Sequence, residues 1–156
     1  MDETYIKVKG VWKYLYRAVD KQGKTIDFLL TAKRDASAAR RFFDKAMQHS
    51  EIPSTVTMDK SGANRAALDR LNTQREIQIK VRQVKYLNNI VEQDHRAVKR
   101  VTRPMLGFKS FRSAQAVLAG IELMHMIRKG QFMMDGGDGM SFADQFYMLA
   151  GQVRPA

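Results

Sequence analysis

With 156 residues, 44% of them apolar and 9% aromatic, the chain is long enough to bury a core and is not disordered by composition. It has no cysteine, which excludes disulfides and thiolate metal sites, and its three histidines, His49, His95 and His125, lack zinc-ligand spacing. Lys and Arg outnumber Asp and Glu 27 to 16, and the resulting net charge of +11 suits a polyanionic partner, most simply nucleic acid. No apolar run nears the ~20 residues of a membrane span, and the opening MDETYIKVKG lacks the apolar heart of a signal peptide, so a cytoplasmic chain with no membrane partner is expected.

Residues 2–9, DETYIKVK, alternate as a strand, with Asp2, Thr4, Ile6 and Val8 on one face. Gly10 punctuates, and residues 11–19 form a second strand with Trp12, Tyr14 and Tyr16 on one side. DKQG at 20–23 is a tight turn into a third strand at 24–32, which makes an antiparallel meander. Asp35 caps a helix running to about His49, with Ala39, Phe42, Phe43, Ala46 and Met47 at helical spacing. A short strand at 54–58 ends at Asp59, a helix spans Ala63 to Asn72, and residues 76–81, EIQIKV, make a fifth strand. The stretch Val84 to Arg103 is free of Pro and Gly and predicts a long helix that stops before Pro104. Ser110 to Lys129 is a further helix, with Ala114, Val117, Leu118, Ile121, Met124 and Ile127 inward. GGDG at 136–139 is a flexible break, and Ser141 to Ala150 a last amphipathic helix with Phe142, Phe146 and Leu149 on one side. Helix-linked strands favour parallel pairing, so the fold class is α/β: a mixed five-stranded sheet flanked by helices.

The Val84–Arg103 helix is where chemistry concentrates. Residues four and seven apart share a helix face, so Glu92 stands over Arg96 and Lys99, with Arg100 and Arg103 along the flank. Between Lys80 and Arg112 nine bases meet two acids, which supplies +7 of the net charge. A solvated helix face with Glu92 paired to its neighbours explains the same pattern. Asp2 opens the first strand, Asp59 closes the fourth and Glu92 follows the fifth; strand ends of an open sheet are where active sites gather. Three acids there have the oxygen ligands that Mg²⁺ or Mn²⁺ takes, and two such ions clamp the oxygens of an in-line phosphoryl displacement. An N-cap or a surface ion pair accounts for most single acids equally well. Asn88 and Asn89 either orient phosphate or water or cap a helix that starts late. His95 is expected to face solvent. Trp12, Tyr14 and Tyr16 either stack bases or fill the core, the core being the default for strand aromatics.

The stretches DETYIKVKG, WKYLYRAVDKQGKTIDFLLTAKRD, VTMDKSGAN, QVKYLNNIVEQDHRAVKR and RPMLGFKSFRSA resemble the catalytic domain of bacterial insertion-sequence DDE transposases of the insertion-sequence-six family. The resemblance covers essentially the whole chain. It implies a ribonuclease-H-like fold of the retroviral-integrase type, and a DDE triad holding two Mg²⁺ (or Mn²⁺) ions. Residue by residue the triad falls on Asp2, Asp59 and Glu92, and the base seven residues after the glutamate on Lys99. It further implies metal-dependent strand cleavage at transposon ends and strand transfer into target DNA, by a homo-oligomer that is nucleoid-associated when bound to DNA. Residues 1–130 would be the catalytic core and 131–156 a tail. Relatives carry an N-terminal helix-turn-helix segment absent from this sequence, so an N-terminally truncated copy is expected, with Asp2 on a fraying terminus. Two other readings stand beside this one: an inactive DNA-binding remnant that modulates full-length transposase, and a ribonuclease-H-like nuclease acting on hybrids.

Overall fold

The computed structural model describes residues 1–84, 88–133 and 139–153. Lys9 and Gly10 both take positive φ, 50° and 75°, as a two-residue type I′ hairpin turn demands. They join β1 (Asp2–Val8) to β2 (Val11–Val19) in a register that sets Asp2 against Arg17, Thr4 against Leu15 and Ile6 against Lys13. The DKQG turn closes as expected: Asp20 Oδ1 accepts from the Gln22 and Lys24 amides, both at 2.9 Å, and Gly23 sits at φ 79°. It leads into β3 (Thr25–Thr31), antiparallel to β2.

Strand alternation divides the apolar residues between two cores. On one face Ile6, Val8, Leu15 and Leu30 pack with Val98, Ala114 and Leu118. On the other, Tyr16 packs with Ala39, Phe42, Phe43, Met58, Leu68 and Leu71. The second core rests on α1 (Ala36–His49), whose N-cap Asp35 accepts from the Ala38 amide at 2.8 Å, and on α2 (Gly62–Arg75).

The five strands are present, but their ladders form two sheets: β1–β2–β3, and a parallel pair of β4 (Thr55–Thr57) and β5 (Lys80–Arg82). With three residues each, β4 and β5 have little ladder to extend. The Met1 nitrogen, 2.5 Å from the Thr57 carbonyl, ties the two sheets together. β5 starts four residues later than its alternation suggested. α2 continues to Arg75, and Glu76 caps it in the left-handed region at φ 52°. The Asn72 amide then bonds the Ile79 carbonyl and N–H, at 3.0 and 3.1 Å, in place of a strand partner.

Helix α3 (Asn89–Thr102) also begins later than expected, after a buried Asn88 whose side chain makes no cap bond; residues 85–87 of the predicted helix lie outside the described residues. Pro104 ends it in a single 3₁₀ turn, Arg103–Met105. Gly107, at φ 113°, brings the chain against the free edge of β1. There the Phe108 N–H donates to the Lys7 carbonyl and the Lys9 N–H to the Phe108 carbonyl, both at 2.8 Å. A Cβ on Gly107 would stand 3.2 Å from the Lys7 oxygen. Helix α4 (Phe111–Arg128) opens with a Ser110–Ser113 capping box. Its inward face differs from the expected one: Ala114, Leu118 and Ile127 are buried, Val117 and Met124 are exposed, and Glu122 is buried instead. Beyond α4 the Gln131 amide accepts from the Thr25 N–H at 2.8 Å and donates to the Thr25 carbonyl at 2.9 Å, on the outer edge of β3. Residues 136–138 of the expected flexible break are outside the described residues, and α5 (Phe142–Val153) follows. No helix of the described residues is long and apolar enough to cross a membrane.

Candidate active site

The start of β1 and the end of β4 meet at the tie between the sheets, and the acids meet with them. One carboxylate oxygen each from Asp2, Glu3 and Asp59 lie within 4.8 Å of one another. Neighbouring strand residues point to opposite faces, so Glu3 was not expected beside Asp2; at a strand end both reach round to Asp59. Arg34, just past β3, forms an ion pair with Glu3 and sets Nη2 3.4 Å from Asp59 Oδ2. Asn64 donates to Glu3 at 3.0 Å, and Asp59 Oδ1 accepts from the Ser61 amide at 3.1 Å. Burial raises the Glu3 carboxyl above its ordinary value, against the opposing pull of the Asn64 hydrogen bond and the Arg34 charge.

Asp2, expected on a fraying terminus, is the first residue of β1. It is in register with Arg17, and His95 Nε2 stands 3.3 Å from its Oδ2. His95 is itself buried rather than solvent-facing, because Val91, His95 and Val98 form the inward stripe of α3; that three- and four-residue spacing is the signal that would have found it.

Behind His95 lies a buried charge network. Arg17 is fully buried and forks onto Glu122, also fully buried, at 2.5 and 2.9 Å. It reaches Asp94 Oδ2 at 2.6 Å and His95 Nδ1 at 3.4 Å. Asp94 Oδ1 takes His125 at 3.0 Å and Lys129 at 2.6 Å. Burial alone would lower the Arg17 guanidinium, but Glu122 and Asp94 raise it. Burial alone would raise Asp94, but His125, Lys129 and Arg17 hold its carboxyl well below the usual carboxylate range. His95 therefore stands between this network and the acid cluster, Nδ1 toward Arg17 and Nε2 toward Asp2.

Of the residues singled out from sequence, the structure brings Asp2 and Asp59 together, with Glu3, and leaves Glu92 outside that cluster. Glu92 is exposed on α3, one turn before His95. Arg96, Arg100 and Arg103 are exposed and Lys99 is half-buried; among the described residues none of the four forms an ion pair, with Glu92 or any other acid. They remain available to an external anion.

The chain as a whole has counterparts in known proteins. A family profile of IS240-type transposases, described as a DDE domain, matches residues 1–131. The chain is 37% identical over 131 residues to the Staphylococcus aureus transposase for insertion sequence-like element IS431mec, and equally to that for insertion sequence element IS257 in transposon Tn4003. The chain belongs to the insertion-sequence-six family of DDE transposases. These alignments cover 83% of the chain but 57% of each relative, so the chain spans little more than half the length of the transposases it matches. Among solved structures, the catalytic core domain of BIV integrase superposes with a TM-score of 0.56 at 10% identity, covering 98% of this chain and 97% of that one. A chain of the simian T-cell lymphotropic virus intasome, solved in complex with PP2A regulatory subunit B56 gamma, gives 0.53 at 20% identity over 64% of this chain and 37% of its own. The fold is therefore ribonuclease-H-like, of the retroviral-integrase type. DDE transposases generally use divalent metal ions, and the Asp2–Glu3–Asp59 set is the all-oxygen kind that hard cations take.

Proposed function

We propose that this chain is the catalytic domain of a transposase that cleaves DNA strands at the ends of an insertion sequence and joins them to target DNA. Residues 1–130 are the catalytic core in this reading, and 131–156 its tail. The observation that carries it is the convergence of Asp2 and Asp59 at one point of the fold, each held there by its own contacts. Asp2 and Asp59 would hold two Mg²⁺ or Mn²⁺ ions, with Glu92, one turn before His95 on α3, as the third carboxylate of the set. Divalent cations held by such oxygens supply the charge that turns water or a DNA 3′ hydroxyl into a nucleophile and steadies the leaving oxygen. Arg34 keeps Glu3 and Asp59 side by side, and His95 holds Asp2 in line. Arg96, Lys99, Arg100 and Arg103 bind backbone phosphates, which positions the strand without reading its sequence. The protein acts as a homo-oligomer, in the bacterial cytoplasm and at the nucleoid when on DNA.

The test is Mn²⁺ titration by calorimetry of the parent and Asp59→Asn, with circular dichroism confirming that both fold. Binding in the parent that Asp59→Asn loses supports the acid site. Equal, negligible binding in both overturns it and leaves a DNA-binding remnant. Glu92→Gln separates the third carboxylate: it should abolish nicking while the chain stays folded, and a variant that nicks as well as the parent removes Glu92 from the site.

A further inference from the structure

The aromatic face of β2 grades from core to solvent. Tyr16 is fully buried, Tyr14 half-buried, and Trp12 is 55% exposed. Trp12 sits just past the hairpin turn, second in β2, and, among the described residues, belongs to neither core. It borders a cavity of about 510 Å³ that runs round the open edge of β1 to the C-terminal end of α3, lined by Tyr5, Lys7, Trp12, Lys99, Arg103 and Leu106 among others. Tyr5 is 48% exposed and Leu106 88%, an unusual amount of large apolar surface to leave in one hollow. The Tyr5 ring meets the indole edge-on at 6.2 Å between centroids, and Lys7 Nζ lies 5.5 Å from the indole centroid. Among the described residues the lining has three cations, Lys7, Lys99 and Arg103, and no carboxylate.

We propose that this groove binds a single DNA strand, stacking an unpaired base on Trp12 while Lys99 and Arg103 take the adjoining phosphates. Exposed aromatics set among cations are what a single strand uses, because every base has a stacking face that a duplex hides. An apolar protein partner would gain nothing from burying three unpaired cations. The groove also lies where a strand leaving the acid cluster would pass. At ~3.4 Å per residue Tyr5 is about 10 Å along β1 from Asp2, roughly three steps of a stacked strand at ~3.4 Å each. On α3, Lys99 is one turn beyond the His95 that touches Asp2. This inference rests on the reading of the chain as a DNA-processing protein and adds the place where an unpaired stretch is held.

Trp12 is the only tryptophan, so its fluorescence reports on this groove alone. The probe is an end-labelled oligothymidylate, titrated without divalent ions, with label anisotropy and tryptophan emission followed together. Emission should be quenched in step with the rise in anisotropy. Trp12→Ala should weaken binding about 5- to 150-fold and Trp12→Phe much less. Lys99→Ala and Arg103→Ala should each lower the slope of log affinity against log salt by about 0.7. Oligonucleotide binding that leaves the emission unchanged and survives Trp12→Ala intact overturns the proposal, as does failure to bind the oligonucleotide at low salt. A Trp12→Ala chain that binds DNA normally but loses self-association would assign the groove to a second copy instead. Mn²⁺ binding lost in Asp59→Asn is read separately, so the groove and the acid site can fail independently.

Discussion

Replacing Glu122 by Gln tests the buried network with little change of shape. Arg17 and Glu122 are both fully buried, and the pair is bidentate at 2.5 and 2.9 Å. Neutralising Glu122 leaves a desolvated guanidinium with Asp94 as its one remaining carboxylate and turns an amide N–H toward a donor. Breaking a buried pair from one side costs about 3–5 kcal/mol. For a chain of this length each kcal/mol lowers Tm by ~2–4 °C, so the expected fall is about 10 °C. Thermal and urea unfolding followed by circular dichroism would measure it. The double variant Arg17→Met, Glu122→Leu removes both charges and fills the space, while Asp94 keeps His125 and Lys129. It should recover most of the loss, since apolar replacement of a buried pair is often neutral or stabilising. A Glu122→Gln fall under about 3 °C, or a double variant no more stable than Glu122→Gln alone, would refute this account of the network.

Three further outcomes are expected. Tyr16 is fully buried, and its phenol is pushed up to about 12, by burial first and by the Glu3 charge next. The fold therefore favours the neutral phenol, and its contribution is complete below the ordinary value near 10 and lost as pH rises through about 12. Because the hydroxyl has no partner among the described residues, Tyr16→Phe should be neutral or stabilising by about 1 kcal/mol at pH 7 and should flatten the loss of stability between pH 10 and 12, as measured by urea unfolding across that range. Gly107→Ala combines a left-handed backbone with a Cβ set against the Lys7 carbonyl. It should cost about 1–3 kcal/mol and lower the hydrogen-exchange protection of the Lys9 amide, and full protection in the variant would refute it. Asp35→Ala should cost about 1 kcal/mol in urea unfolding through loss of the α1 cap, with Asp35→Asn close to the parent.

What could be read from the sequence was what short-range chemistry decides. Alternation placed β1, β2 and β3, the DKQG turn followed from Asp20 and Gly23, and the Asp35 cap marked a helix start, because each depends on residues within a few positions. The start of β5 was not legible: Glu76 to Ile79 alternate like a strand, but Asn72, seven residues back, claims the main chain of Ile79. The inward face of α4 was hidden because its polar member, Glu122, is defined by Arg17, 105 residues away. In the candidate site, acids at strand ends were visible as such. The family resemblance put Asp2 and Asp59 in one site; that Glu3 joins them, while Glu92 lies outside those three, depends on how two short sheets abut, which no local pattern records. His95 was misread as a surface residue because its polarity was weighed and its place in the Val91–Val98 stripe was not. The exposure of Trp12, just past the hairpin turn, is a property of the assembled fold.

The Gln131 amide on Thr25 and the Phe108 main chain on Lys7 and Lys9 bear on what the sheet edges offer to other molecules. An uncovered sheet edge is a template for strand addition by another molecule and a route to aggregation. Here a side-chain amide takes both the donor and the acceptor of Thr25, Lys45 covers the Phe28 carbonyl at 2.9 Å, and Phe108 occupies the far end of β1. With those groups taken, a strand of another molecule finds fewer free main-chain donors and acceptors to pair with at these two edges.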